Sequence, residues 1–375
     1  MRVLLVSLTT AALLGCASAP VAVSPRSLFA DSLFAEAPRP PVGEDPFTLS
    51  EDMVRFAATG MAATIRRHGL QDGIAAAVKD ELRLEYDATE TLPAAQTFAR
   101  RSGNCLSLVI LTAAFARHLD VPVTFQNVYG QEAWSRSDGI LFFSTHVNAR
   151  LGLRGLPGPV IDFVDPGRGR LQQVTTRLVD EAELRAMYFN NRAAEALVDG
   201  DVGTAYWWAR AAIDTAPSYA NGVNTLAVVY LRHGRLREAE RALRYVLERE
   251  PDNGRAMTNL IGVLSRDGRP EEAAEWQRRL AAIEPYPPFY FLDQGLAALS
   301  DGRNEAAREL LNKELRRMPY YDEVHFALAV ADLRLGDIRE ARSHLGLALK
   351  YSTTRDRRSI YGAKLSRLKA LEASN

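Results

Sequence analysis

Cysteine is scarce in this 375-residue chain, which holds only Cys16 and Cys105. Two cysteines cannot build a disulfide framework, and they fall in no zinc-finger spacing. Histidine is also sparse, with six in all. His68, His118, His233, His325 and His344 stand at no ligand-like spacing with cysteine or carboxylates, so the sequence signals neither a metal nor another cofactor. An excess of charge of either sign is missing too. The 46 basic residues are matched by 46 acidic ones, which removes the electrostatic argument for nucleic acid or for a polybasic membrane surface. The apolar run near the amino terminus, Val3 to Gly15, is too short to span a bilayer.

That short run is nevertheless informative. Arg2 precedes it and Leu13-Leu14-Gly15-Cys16 closes it, the layout of a secretory signal. Its end resembles the lipobox of bacterial lipoproteins, in which the cysteine is acylated and becomes the first mature residue. The resemblance implies a signal peptide over 1–15, lipid on Cys16, and attachment of the protein to the membrane through that lipid only. Ala17, rather than Asp, after the cysteine implies the outer membrane, with the protein facing the periplasm. Ordinary cleavage after Ala17-Ser18-Ala19 competes, but it leaves Pro20 behind the cut, a poor context. Residues 16–45, rich in Ala, Ser and Pro, read as a flexible tether. With Cys16 lipidated, Cys105 has no intramolecular partner. An unpaired thiol in an oxidising compartment is expected to be well buried or chemically used.

The stretch Arg101-Ser102-Gly103-Asn104-Cys105 delivers that thiol onto an apolar helix running from Leu106 to Leu119. Ser102 and Asn104 are both good caps. A thiol in the first turn sits at the positive end of the helix dipole, where its thiolate is favoured and neighbouring N–H groups are placed to hold an oxyanion. The ordinary alternative is a core cysteine packed as a small hydrophobe.

Folding is expected to start near Pro46. One helix, capped by Thr48 or Ser50, runs to His68-Gly69, and a second from about Asp72 to Tyr86. Strand signals follow at 121–128, 140–151 and 160–164, giving an α+β arrangement over 46–180 with a helix packed across a sheet. Ser102-Gly103-Asn104-Cys105, then Leu119-Asp120-Val121-Pro122-Val123, Thr145-His146-Val147-Asn148 and Val164-Asp165-Pro166 together resemble the transglutaminase-like superfamily of the papain-like thiol fold. The resemblance covers about 85–170. It implies Cys105 as nucleophile, His146 as proton carrier and Asp165 as the acid that orients it, attacking an amide carbonyl through a thioester. Water as acceptor gives a peptidase or deamidase; an amine gives an acyl transferase. Asp162 is the runner-up for the third role, because sheet registry is not written in the sequence. Many family members carry Trp two residues after the His, where this chain has Asn148. Trp134, in a polar stretch between strands, is either a loop anchor or a wall of the cleft.

From about Ala186 a period of 34 residues takes over. Pro217, Pro251, Pro285 and Pro319 keep it, as do Gly200, Gly234, Gly268, Gly302 and Gly336, and Ala205, Ala239, Ala273, Ala307 and Ala341. The glycines suit turns between antiparallel helices, the alanines suit close helix crossings, and the prolines end each unit. These registers resemble the tetratricopeptide repeat and give an all-α solenoid of five units: 186–219, 220–253, 254–287, 288–321 and 322–355. Ile261 departs from the small residue kept elsewhere as Ala193, Ala227, Gly295 and Ala329. Residues 356–375 form a capping helix. Such solenoids present a groove to a protein or peptide, so a protein partner is expected. Asn191, Asn224 and Asn259 recur on successive first helices, as solvated positions or as peptide contacts. Tyr206-Trp207-Trp208 is expected to pack against the cysteine domain. Two functions fit the whole: a membrane-anchored thiol enzyme with a partner-binding solenoid, or a non-catalytic scaffold lipoprotein that binds peptides.

Overall fold

The computed structural model describes residues 24–40, 43–137, 140–153, 155–163 and 175–373. Cys16 and Asp165 lie outside them, as does the side chain of Trp134. Among the described residues there are sixteen α-helices and six strands, so the chain is mostly helical. No described helix is long and apolar enough to cross a membrane.

Ser50 accepts a hydrogen bond from the Met53 amide at 3.3 Å and opens α1 (Glu51–Thr59). The single helix expected up to His68 is interrupted after Thr59, and α2 (Ala62–His68) follows before Gly69 ends it with φ of 81°. Next, α3 (Leu70–Ala76) runs on as one π turn to Glu81. It stops short of Tyr86, because Arg83 turns the chain with φ of 47° and Glu85–Tyr86 becomes β1. After α4 (Ala94–Arg100), β2 (Ser102–Gly103) pairs in parallel with β1 and leads straight into α5 (Cys105–His118). Leu108, Val109, Ile110, Leu111 and Phe115 of α5 are fully buried, each worth about 1.5–3 kcal/mol of apolar burial for a side chain of that size.

Four strands, β3 (Val123–Ser137), β4 (Ile140–Leu151), β5 (Val160–Ile161) and β6 (Thr175–Val179), make one antiparallel sheet in the order β5-β4-β3-β6, with α5 packed on β4. Two details differ from expectation. β3 continues past Val128, through a register shift, to Ser137. β6 had no strand signal, being short and exposed at Thr176, Arg177 and Leu178.

Five helix pairs then stack: α6 (Glu181–Val198) with α7 (Val202–Thr215), α8 (Ala220–Arg232) with α9 (Leu236–Arg249), α10 (Gly254–Arg266) with α11 (Pro270–Ile283), α12 (Tyr290–Ser300) with α13 (Asn304–Arg317), and α14 (Asp322–Leu335) with α15 (Ile338–Tyr351). α16 (Arg355–Ala373) closes the array. The periodic glycines take φ between 74° and 86°, the left-handed conformation that ends each first helix. The periodic alanines are all buried where two helices cross.

The first domain and the solenoid are not separate bodies. One continuous apolar cluster runs from Leu28 to Ala273, through α5, the sheet and the first three repeats. The packing breaks instead between repeats three and four, where Pro285, Pro287 and Pro288 intervene and a second cluster begins at Phe289. The far end of the array returns to the first domain: Ala88 N–H donates to the Thr353 carbonyl at 2.9 Å, and Arg358 donates to the Tyr86 carbonyl at 3.2 Å.

The stretch read as a tether is corrected over residues 24–40. Two short 3-10 turns, Pro25–Leu28 and Asp31–Phe34, lie on the solenoid with Leu28 and Phe34 buried. Phe34 stacks on Tyr206 at 4.1 Å, whose hydroxyl donates to Asp31 at 2.6 Å, and the Trp207 indole N–H donates to the Phe34 carbonyl. Tyr206 and Trp207 therefore hold the amino-terminal strap, while Trp208 stacks on Phe189. Composition suggested a loose chain; two apolar side chains with somewhere to go override it.

The glycine geometry separates two substitutions six positions apart. Gly268→Ala places a Cβ at φ of 74° with nothing within 4 Å, so its cost is backbone strain of about 1–2 kcal/mol. Gly262→Ala, inside α10 and equally open, stabilises by roughly 0.5–1 kcal/mol. Urea denaturation of the two variants is expected to give shifts of opposite sign.

Candidate functional site

Cys105 is the first residue of α5, partly exposed and unpaired by any disulfide. Asn104 is the cap. Its Oδ1 accepts from the Ser107 amide at 2.9 Å and from the Ser107 hydroxyl at 3.0 Å. Of the two expected caps Ser102 is thus excluded, being held in β2.

His146 lies on β4 opposite Val128 and is buried, with 4% of its surface exposed. Sheet register explains how Asp162 reaches it. Ala149 pairs with Ile161 and Arg150 with Val160, so the next residues along the ladder place Asp162 opposite Asn148. Side chains alternate along a strand, so Asn148 and His146 share a face and Asp162 joins them. The Asp162 Oδ1 lies 2.8 Å from His146 Nε2. Asp165, preferred on motif position, lies outside the described residues, and Asp162 is the acid in contact.

The sulfur belongs to the same cluster, because the Cys105 side chain lies near enough to the His146 imidazole to favour its charged form. Burial alone pushes the imidazolium pKa down, but the neighbouring Asp162 and Cys105 side chains outweigh it and raise it to about 9. The ring is thus held cationic at neutral pH between two groups that are anionic when ionised. Beside it, the buried Asn148 Oδ1 has no hydrogen-bond partner among the described residues. A Trp at that position could not offer such an acceptor.

Sequence reasoning missed Thr91, which is 1% exposed and receives the Asn104 side-chain amide on its hydroxyl at 2.7 Å. No local signal marks it. On the repeats, Asn191 donates to the same Thr91 hydroxyl at 3.2 Å, and the Asn259 side-chain amide donates to Asn224 Oδ1 at 3.1 Å. These asparagines are therefore tied to neighbours rather than simply solvated. Among the described residues no group of three or more His, Cys, Asp or Glu side chains could hold a metal ion.

Residues 224–288 match the tetratricopeptide repeat family. The matched span starts in α8 and ends just past α11, and the chain carries tetratricopeptide repeats. No curated protein matches it. Among solved structures it is similar to PilF of Pseudomonas aeruginosa, at 22% identity over 52% of this chain and 99% of that one, with a TM-score of 0.28. It is similar to YrrB, described as a TPR protein with an unusual peptide-binding site, at 16% identity over 48% and 92%, TM-score 0.26. A MamA protein gives 17% identity over 44% and 91%, also with a TM-score of 0.26.

The raised imidazole pKa sets a pH window. A folded-state value of about 9 against an unfolded value of about 6.5 means stabilisation that is full below pH 6.5 and lost as pH rises through 9. Replacing Asp162 by Asn is expected to cost on the order of 2 kcal/mol at pH 6, with the gap to the wild type narrowing toward pH 10 in thermal or urea melts.

Proposed function

We propose that this chain is a protein-binding repeat scaffold anchored in the bacterial cell envelope, whose solenoid takes a protein or peptide partner. Five tetratricopeptide helix pairs support the binding role, since stacked pairs of this kind present an extended surface to a protein or peptide. Leu13-Leu14-Gly15-Cys16 supports acylation of Cys16 and attachment through lipid, at the outer membrane by the residue that follows. A photo-cross-linking side chain placed at Asn224 of the full chain in cells is expected to capture one envelope protein reproducibly. Adducts no different from those of an outward position such as Arg241 count against a partner role.

A specific observation favours a second reading, in which the scaffold also carries a transglutaminase-like thiol activity on amide bonds. That observation is the cluster of Cys105, His146 and Asp162, in which the carboxylate lies 2.8 Å from the imidazole and both neighbours favour its charged form. In this reading the Cys105 thiolate adds to an amide carbonyl and the first-turn N–H groups of α5 hold the oxyanion. The His146 imidazolium then gives its proton to the departing amine. The thioester left on Cys105 is resolved by water or by a second amine, with His146 taking the incoming proton. Asp162 fixes the ring and balances its charge, the role that motif position assigns to Asp165. Iodoacetamide labelling across pH tests the chemistry. Rapid alkylation of Cys105 near pH 6, falling at least about tenfold in His146→Ala, is expected of an ion-paired thiolate. Labelling that follows a thiol of pKa about 8.5 and ignores the His146 substitution leaves the scaffold role alone.

A further inference from the structure

Thr91 sits between two helices that belong to different halves of the chain. From the α6 side, its backbone N–H donates to Glu195 Oε1 at 2.7 Å, its carbonyl accepts from Arg192 at 3.3 Å, and its hydroxyl accepts from Asn191 at 3.2 Å. From the α5 side, the same hydroxyl accepts from Asn104 at 2.7 Å. The next residue continues the stitch, with Leu92 N–H donating to the Ser107 hydroxyl at 2.8 Å. Asn104 and Ser107 are the residues that cap α5, and Cys105 lies between them. Every group in this path is buried or partly buried, so none of these bonds is readily replaced by water.

We propose that α6, the first helix of the repeat array, is part of the thiol site, and that Asn191 and Glu195 act through Thr91 as positioning residues for the α5 cap that presents Cys105. The proposal rests on the activated-thiol reading above and extends it: the solenoid is a component of that site rather than an appendage. Three features support it. The Asn104 side chain has a fixed sense, Oδ1 toward the α5 amides and Nδ2 toward Thr91, so displacing Thr91 leaves a buried amide donor unpaired and turns the cap. The Thr91 hydroxyl takes an amide donor from each helix, Asn104 beside α5 and Asn191 on α6. Glu195 is itself strained toward neutrality. Burial pushes its pKa to about 7, with Glu90 adding to the rise and Arg192 and Thr91 opposing it, so its contact with Thr91 is sensitive to anything that changes α6. A partner seated on the first repeats therefore acts on the geometry of the cysteine through a path only four side chains long.

The test measures the rate of Cys105 alkylation by iodoacetamide against pH in the full chain. Thr91→Val keeps shape and backbone bonds but removes the hydroxyl. It is expected to slow alkylation at pH 6 about tenfold and to move the profile toward that of an ordinary thiol, with Thr91→Ser restoring it to within about threefold of wild type. Asn191→Ala, at a partly exposed position on α6, is expected to slow it about threefold with unchanged circular dichroism. It decides the matter where Thr91→Val does not fold. A wild-type profile in both Thr91→Val and Asn191→Ala overturns the proposal while leaving the activated thiol intact. Loss of the low-pH reactivity from the wild type itself, with no response to His146→Ala, overturns both.

Discussion

The amino terminus of α5 is the constraint on which the rest of the molecule turns. A helix beginning there must satisfy its first amides, and it does so with one asparagine whose other end is tied to a buried threonine. That cap stands next to Cys105, and through Thr91 it is joined to Asn191 on the first repeat. The apolar side chains of α5 are buried in the core, and the hydrogen bonds at its mouth tie its first turn to Thr91.

The imidazole supplies the second half of the site, and here the sheet does the selecting. β4 offers His146 and Asn148 on one face, and the short β5 brings Asp162 to the same face by its register with Ala149 and Arg150. A slip of one residue turns the carboxylate to the opposite side and leaves a buried ring without a counter-charge. The two-residue strand β5 is thus responsible for the charge state of the ring. Around this centre the solenoid forms a partial enclosure. Its first repeat shares the core of the thiol domain, and its last turn comes back to the strand beside the cysteine loop. The proline-rich break after repeat three separates the repeats that share the first domain's core from those packed in clusters of their own.

Much of this was legible in the sequence, for identifiable reasons. The repeat glycines announced themselves because a left-handed turn has few other solutions, and five of them in phase determine a helix-pair array. Cys105 was legible because a polar, capped turn running into an unbroken apolar helix is a local pattern. His146 stood out by order along the chain rather than by geometry. That Asp162 reaches the ring was not legible, since the contact depends on strand pairing and the two residues between it and Asp165 carry no signal of register. The contacts of Thr91 were invisible for a similar reason: its partners on α6 lie about a hundred positions away. Composition misled at residues 24–40. A stretch rich in Ala, Ser and Pro reads as a loose strand of chain, yet Leu28 and Phe34 find apolar seats on the solenoid and order it.

The account turns on an imidazole held charged between a sulfur and a carboxylate. Its most direct measurement is the titration of His146 by NMR of histidine-labelled protein, with His146→Gln assigning the resonance. A titration midpoint near 9 that falls toward about 6.5 in Asp162→Asn and shifts again in Cys105→Ser is the result predicted. A midpoint near the ordinary histidine value, indifferent to both substitutions, contradicts it.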